Sequence, residues 1–277
     1  SAITELWITE NEKTVKLVYT GDIGVDDRPI LRDPKKIKKA DFVVMESTYG
    51  DRLHESNESS IKALIDIIAD TVKRGGNVII PAFAVGRTQE LIYELNRFYE
   101  SDEYYHDLLS KVHVYIDSPM AVTTTQVFRK NAQVFDTETK EYILNGDNPL
   151  DFPNLNFTRT SQESKALNDD TNPKIIISAS GMCEAGRIRH HLKHNLWRKE
   201  CTVLFVGYQA VGTLGRKLID GVSSVKLFGE NIEVSARIES LKGVSGHADM
   251  NGLLHWLQGF ETPIQRVIVV HGEDMVT

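Results

Sequence analysis

Long apolar runs, cysteine and positive charge are all scarce in this sequence. No apolar run approaches the ~20 residues that a membrane-spanning helix needs, so no membrane partner is expected. The opening residues lack the pattern of a secretory signal. Cysteine is confined to Cys183 and Cys201, which form no Cys-x-x-Cys pair. That excludes a disulfide scaffold and a cysteine-built zinc site, and fits buried thiols in a reducing, cytoplasmic setting. Lys and Arg number 32 against 39 Asp and Glu, for a net charge of −7. Such a balance argues against sequence-blind binding of nucleic acid over the whole surface but leaves room for a local basic groove. There is no Gly-x-x-x-x-Gly-Lys-Ser/Thr loop, and the glycines near Gly212 and Gly215 do not have dinucleotide spacing. The chain begins at Ser1 without an initiator Met and enters a strand-like stretch at once, which reads as a cut inside a longer gene product.

A length of 277 residues with 41% hydrophobic and 26% charged residues is that of a globular protein of one or two domains. From about Asp51 to Lys242 strand-like and helix-like stretches alternate, the signature of an α/β domain with a largely parallel sheet. The clearest helix is Asn57 to Arg74, with Ile61, Leu64, Ile65, Ile68 and Val72 at helical spacing and Gly75-Gly76 as the stop. Short apolar runs at Val78–Pro81, Val112–Ile116, Lys174–Ser178 and Thr202–Val206 read as strands. Asp136 to Asn172 is polar and poorly periodic, a long excursion with some helix. The two ends of the chain supply strands of a second sheet: the alternating Thr14–Thr20, and Asp41–Met45 and Val267–Val270, both expected to be buried.

Chemistry-bearing side chains sit where those strands end. Asp22 follows the strand that closes at Gly21, Glu46 ends the next, His247 follows a Ser-Gly turn and His271 ends the last strand. A Glu at a strand end is costly to bury without a partner such as a His. Taken singly, each has a plainer explanation: a turn Asp capping its own backbone, an exposed Glu, a His satisfied by backbone. In the middle of the chain, Gly86-Arg87-Thr88 opens a helix after a short loop, and Ser180-Gly181 precedes a helix carrying Arg187 and many other cations. A helix start with a Gly-containing loop points N–H groups at anions, and Arg offers a fork that suits phosphate. The cationic helix has three readings: a solvated charged face, a metal pair from His190 and His194 at i,i+4, or a phosphate-binding helix start.

In order, Gly21-Asp22, Glu46-Ser47-Thr48-Tyr49-Gly50, Ser245-Gly246-His247-Ala248-Asp249 and Val270-His271-Gly272-Glu273 form a set. That set resembles the β-CASP group of metallo-β-lactamase-fold RNA-processing nucleases, the bacterial and archaeal relatives of the cleavage and polyadenylation endonuclease subunit. The loops Pro81–Arg87, Asp117–Met120 and Ser178–Met182 match as well, so the resemblance covers essentially the whole chain. It implies a partial αββα metallo-β-lactamase domain from residues 1–50 and 243–277, with a β-CASP α/β domain inserted at 51–242. It implies zinc-dependent hydrolysis of single-stranded RNA, endonucleolytic or 5′-to-3′ exonucleolytic, and is compatible with a homodimer. By the same resemblance Asp22 bridges two Zn²⁺ ions, His271 is a ligand, Glu46 and His247 are a catalytic pair with His247 as general acid, and Arg87, Thr88, Ser180, Gly181 and Arg187 grip RNA phosphates. The family's His-x-His-x-Asp-His motif is missing, since none of the nine histidines forms a His-x-His pair. Asp22 and His271 cannot by themselves hold two ions that each need about four ligands. The rival expectations are a non-catalytic RNA-binding scaffold of the same family, and a hydrolase of the same fold acting on DNA or a small ester.

Overall fold

The computed structural model describes residues 2–54, 56–101, 103–241, 243 and 245–272. In chain order the elements are β1 Thr4–Glu10, β2 Lys13–Tyr19, β3 Phe42–Glu46, α1 Asn57–Lys73, β4 Val78–Pro81, α2 Arg87–Ser101, α3 Glu103–Lys111, β5 His113–Ile116 and α4 Pro119–Lys130. Then come α5 Thr137–Leu144, β6 Leu155–Phe157, α6 Ser161–Asp169, β7 Lys174–Ser178, α7 Ile188–Asn195, β8 Thr202–Phe205 and α8 Leu214–Ile219. β9 Ser224–Leu227, β10 Glu230–Glu233, β11 Arg237–Ser240, α9 Met250–Leu257 and β12 Arg266–Val270 complete the chain. No helix among the described residues is long and apolar enough to cross a membrane. The chain divides into two compact units, one of Ser1–Glu55 with Ser245–Thr277 and one of Ser56–Val244.

In the unit built from both ends, four strands form one sheet in the order β1-β2-β3-β12. β1 and β2 are antiparallel, while β2 with β3 and β3 with β12 are parallel. Its core is Val18, Ile23, Ile37, Ala40, Val43, Met45, Ala248, Leu253 and Trp256. Trp256 is buried and its indole N–H donates to the Lys35 carbonyl at 3.1 Å, as a buried Trp requires. One expectation fails here. Val267, Ile268 and Val269 form the predicted strand but are 36–43% exposed, not buried. β12 is an edge strand with β3 as its sheet neighbour, and hydrophobic composition alone does not say whether a layer covers an edge.

In the middle unit all pairings of the six-stranded sheet are parallel, in the order β11-β8-β4-β7-β5-β6. β4, β7 and β8 are buried at every position, as parallel strands covered on both faces must be. This explains why they read as short, unalternating apolar runs. β7 lies between β4 and β5, although the chain visits β5 first. The order therefore reverses at the carboxyl ends of these strands, where an open parallel sheet forms a crevice. The polar excursion resolves into α5, β6 and α6, the last opened by a capping box between Thr160 and Glu163. Ser223 to Ser240 holds three strands rather than two: a β9–β10 hairpin, and β11 on the edge of the large sheet. Cys183 and Cys201 are buried free thiols, as expected.

Candidate active site

The end-built unit gathers its chemistry where its parallel strands stop. β2 gives way to Thr20 and then to Gly21, whose φ of 57° is the left-handed turn glycine adopts freely. Asp22 leaves that turn. One strand over, Glu46 ends β3 and is 2% exposed. A buried carboxylate must be satisfied, and every part of Glu46 is. Its Oε1 accepts the Ile23 backbone N–H, and its Oε2 accepts the Thr48 hydroxyl at 2.6 Å and His247 Nδ1 at 2.8 Å. Burial pushes the Glu46 carboxyl up, but the bonds from His247, Thr48 and Ile23 outweigh it and hold the group below its ordinary range. The same bond to Glu46 raises His247 against the opposing effect of burial, with the Glu46 and Asp22 charges adding to the rise.

His247 is held from several sides. Its N–H donates to Ser245 Oγ at 3.1 Å, and the next residue, Ala248, donates to the Ile23 carbonyl at 2.8 Å. His54 Nε2 donates to the His247 carbonyl at 3.0 Å. Asp249 caps α9 through the Gly252 N–H and accepts the His54 N–H at 3.0 Å. With Nδ1 committed to Glu46, Nε2 is the atom of the ring that can meet a substrate; the side chain is 26% exposed. Beside this pair, His271 Nδ1 lies 3.4 Å from Asp22 Oδ1, with both side chains more than half exposed. Thr48 Oγ1 stands 3.4 Å from a ring nitrogen of each His. One donor atom from each of Asp22, Glu46, His247 and His271 falls within 4.8 Å of all the others.

Residues 88–218 match the model of the Beta-Casp domain, and residues 231–277 match that of the Zn-dependent metallo-hydrolase RNA specificity domain. Ribonuclease TTHA0252 of Thermus thermophilus is 38% identical over 93% of this chain and 57% of its own length. The RNase J-like protein of Methanocaldococcus jannaschii is 32% identical over 93% of this chain and 58% of its own. The transcription termination factor FttA of the same organism is 30% identical over 99% of this chain and 43% of its own. The chain belongs to the β-CASP group of the metallo-β-lactamase fold. It spans about half the length of these curated relatives.

Zinc is the metal named with the family model that matches residues 231–277, and the donors can be tested against it. Asp22 and His271 fit: a carboxylate and an imidazole are zinc ligand types, and both face solvent 3.4 Å apart. Glu46 does not fit as a ligand, because both its oxygens are taken by internal donors and it is buried. His247 spends Nδ1 on Glu46. Two such donors fall short of the ~4 that one zinc requires, so among the described residues of this β-CASP chain the donors that fit zinc amount to less than one full shell.

The middle unit shows the other sequence candidates already engaged. Arg87 is 9% exposed at its side chain and pairs with Glu90 at 2.6 Å. Thr88 is buried and donates its hydroxyl to the Phe83 carbonyl at 2.8 Å. A Cβ at Gly181 would touch the Phe83 ring at 3.0 Å, so these two loops are stacked on each other. Ser180 Oγ accepts the Ala185 N–H at 3.2 Å. Arg187 places NH1 2.7 Å from Asp117 Oδ1 and NH2 3.0 Å from the Arg159 carbonyl.

Asp117, in the sequence only a member of the Asp117–Met120 loop, is the centre of a buried polar network in this unit. It is fully buried at the end of β5. Its carboxylate accepts from Thr158, from Ser164 at 2.6 Å, from Arg187 and from His191 Nε2 at 2.6 Å. Burial alone would raise it, but the His191, Ser164 and Thr158 bonds and the His191 charge drive it well below the usual carboxylate range. Arg187 and His191 thus turn inward. The grouping of three or more metal-type donors among the described residues is Asp22, Glu46, His247 and His271; His190 and His194 acquire no such set.

Proposed function

We propose that this chain carries out its part of zinc-dependent hydrolysis of phosphodiester bonds in single-stranded RNA, as an endonuclease, a 5′-to-3′ exonuclease or both. The observation that supports it is the Glu46–His247 pair beside Asp22 and His271. Breaking a phosphodiester frees a poor leaving group, an alkoxide, unless a proton reaches it in the transition state. His247 is built to deliver one. Glu46 holds Nδ1, fixes the ring's orientation and keeps the imidazolium populated, leaving the proton at Nε2 to pass to the leaving oxygen. Thr48 and Ile23 keep Glu46 ionised for that role. Asp22 and His271 would hold metal; zinc, when bound, supplies Lewis-acid polarisation of phosphoryl oxygens and activation of water.

The end-built unit is proposed as metallo-β-lactamase domain and the middle unit as β-CASP domain. Arg87, Thr88, Ser180, Gly181 and Arg187 are proposed to contribute phosphate contacts there, which position a strand without reading its sequence. The relatives named ribonuclease and RNase J-like protein support RNA over DNA or a small ester. The test compares the zinc-loaded protein with its His247→Ala variant on matched RNA and DNA strands. Retained RNA binding and zinc content with lost RNA cleavage is expected. Turnover equal to the parent removes His247 from the chemistry, and faster DNA cleavage overturns the substrate class.

A further inference from the structure

Helix α7 is the most cationic stretch of an acidic chain, and the Asp117 network absorbs only its inward side. Between Ile188 and Asn195 it carries Arg189, His190, His191, Lys193 and His194 and no acid. On its outward side it meets the tip of the β9–β10 hairpin. That tip is the two-residue turn Phe228-Gly229, with φ of 50° and 86°. Such a turn needs positive φ at both positions and favours Asn, Asp or Gly at the first. A Phe there is a poor turn former, and 48% of it is left in solvent.

What the ring does is stack. The exposed His190 ring lies 4.3 Å from Phe228, centroid to centroid, with 20° between the planes. The Arg189 guanidinium sits over the same ring at 5.4 Å. The surroundings are cationic. Burial and then the charges of His191, His194, Lys193 and Lys165 lower the pKa of His190. Lys193 shares its charge with Glu230 at 2.6 Å. An aromatic ring in poor turn chemistry, half open and flanked by a guanidinium, has the composition of a surface that stacks bases and attracts phosphates.

We infer that the open surface of the Phe228–His190 stack, with Arg189 beside it, binds an unpaired base of single-stranded RNA. This rests on the proposed RNA substrate and adds to it a contact that no feature of the Asp22–His271 site requires. The site takes any base, because stacking reads a π-face and not a hydrogen-bonding edge.

The test is fluorescence anisotropy with a labelled, non-cleavable 2′-O-methyl oligoribonucleotide and the full chain. Phe228→Asn is the informative variant, since Asn suits the turn and the fold should survive; its thermal midpoint confirms that. Affinity should fall about tenfold, the order expected for one stacked base. The deficit should vanish on an oligonucleotide carrying abasic positions. A parent that binds RNA while Phe228→Asn binds it equally overturns this inference alone. A parent that binds no RNA overturns the substrate reading and this inference with it. Equal RNA binding with concentration-dependent self-association lost in the variant assigns the surface to a protein partner instead.

Discussion

His247 Nδ1 and Glu46 Oε2 lie 2.8 Å apart, although 201 positions separate the two residues in sequence. Each raises the charged form of the other. Replacing Glu46 by Gln keeps the shape but removes the charge that holds the imidazolium. On the proposed mechanism kcat should fall roughly 10²-fold or more, with RNA affinity unchanged. The pH profile carries the sign. His247 acts protonated, so activity is lost as pH rises through its raised pKa, and in Glu46→Gln that loss should occur at lower pH. An unchanged basic limb would show that Glu46 does not set the protonation of His247.

Asp117 makes a different kind of prediction, because it is buried and anchors Arg187, His191, Ser164 and Thr158 at once. Asp117→Ala leaves a buried imidazole and a half-buried guanidinium without their acceptor. Removing one partner of a buried ion pair costs about 3–5 kcal/mol. Chemical denaturation of the variant should show a loss of that order. A loss near zero would mean that water reaches the network and replaces the carboxylate.

The same residue predicts an acid transition. Its folded pKa lies below the ~3.9 of an unfolded Asp. Its stabilisation is therefore complete above about pH 4 and is lost as pH falls toward the depressed folded value. Asp117→Asn should be less stable at neutral pH yet show a shallower decline below pH ~4 than the parent. Parallel decline of the two proteins, followed by urea midpoints against pH, would assign the acid sensitivity to other carboxylates.

What the sequence shows and hides follows from the range of each interaction. α1 was legible because its apolar residues repeat at helical spacing and Gly75-Gly76 ends it. Asp22, Glu46, His247 and His271 were legible as an ordered set of strand-end residues. Their separation into an exposed, ligand-like pair and a buried acid–base pair was not, because it depends on Thr48 and the Ile23 amide reaching Glu46. The supporting roles of His54 and Asp249 were hidden for the same reason: the bonds from the His54 N–H to Asp249 and from the His54 ring to the His247 carbonyl appear only after folding. Asp117 lies 74 positions from His191, and nothing in either local sequence joins them. The exposure of β12 was misread because a run of valines and isoleucines records strand propensity, not whether a neighbour covers the edge.

Gly76 offers a test of packing in the middle unit. A Cβ placed there would fall 1.8 Å from the Glu200 carbonyl oxygen and 2.3 Å from its carbon. Both are backbone atoms, in the turn before buried β8, so neither can swing aside as a side chain would. Gly76→Ala should therefore destabilise the unit by roughly 1–3 kcal/mol or more, the cost of overpacking. Gly75→Ala, whose Cβ would meet nothing within 4 Å but whose φ is +76°, should cost only the left-handed strain of about 1–2 kcal/mol. The two variants compared by thermal unfolding separate steric from conformational cost. Equal and small losses in both would mean that the loop between α1 and β4 shifts to make room.

The division of the acidic and histidine side chains into ligands and proton carriers predicts how zinc should respond to mutation. Asp22 and His271 are more than half exposed at their side chains, with a carboxylate oxygen and a ring nitrogen 3.4 Å apart, whereas Glu46 is buried and both its oxygens accept bonds from within the protein. Elemental analysis of protein purified in the presence of zinc should show less metal per chain in Asp22→Asn and His271→Ala than in the parent. Glu46→Gln and His247→Ala should retain the parent level. Loss of zinc in Glu46→Gln would make Glu46 a ligand and would undo the assignment of His247 as the proton donor, since the carboxylate could not serve both. Undiminished zinc in both Asp22→Asn and His271→Ala would instead place the metal elsewhere in the protein.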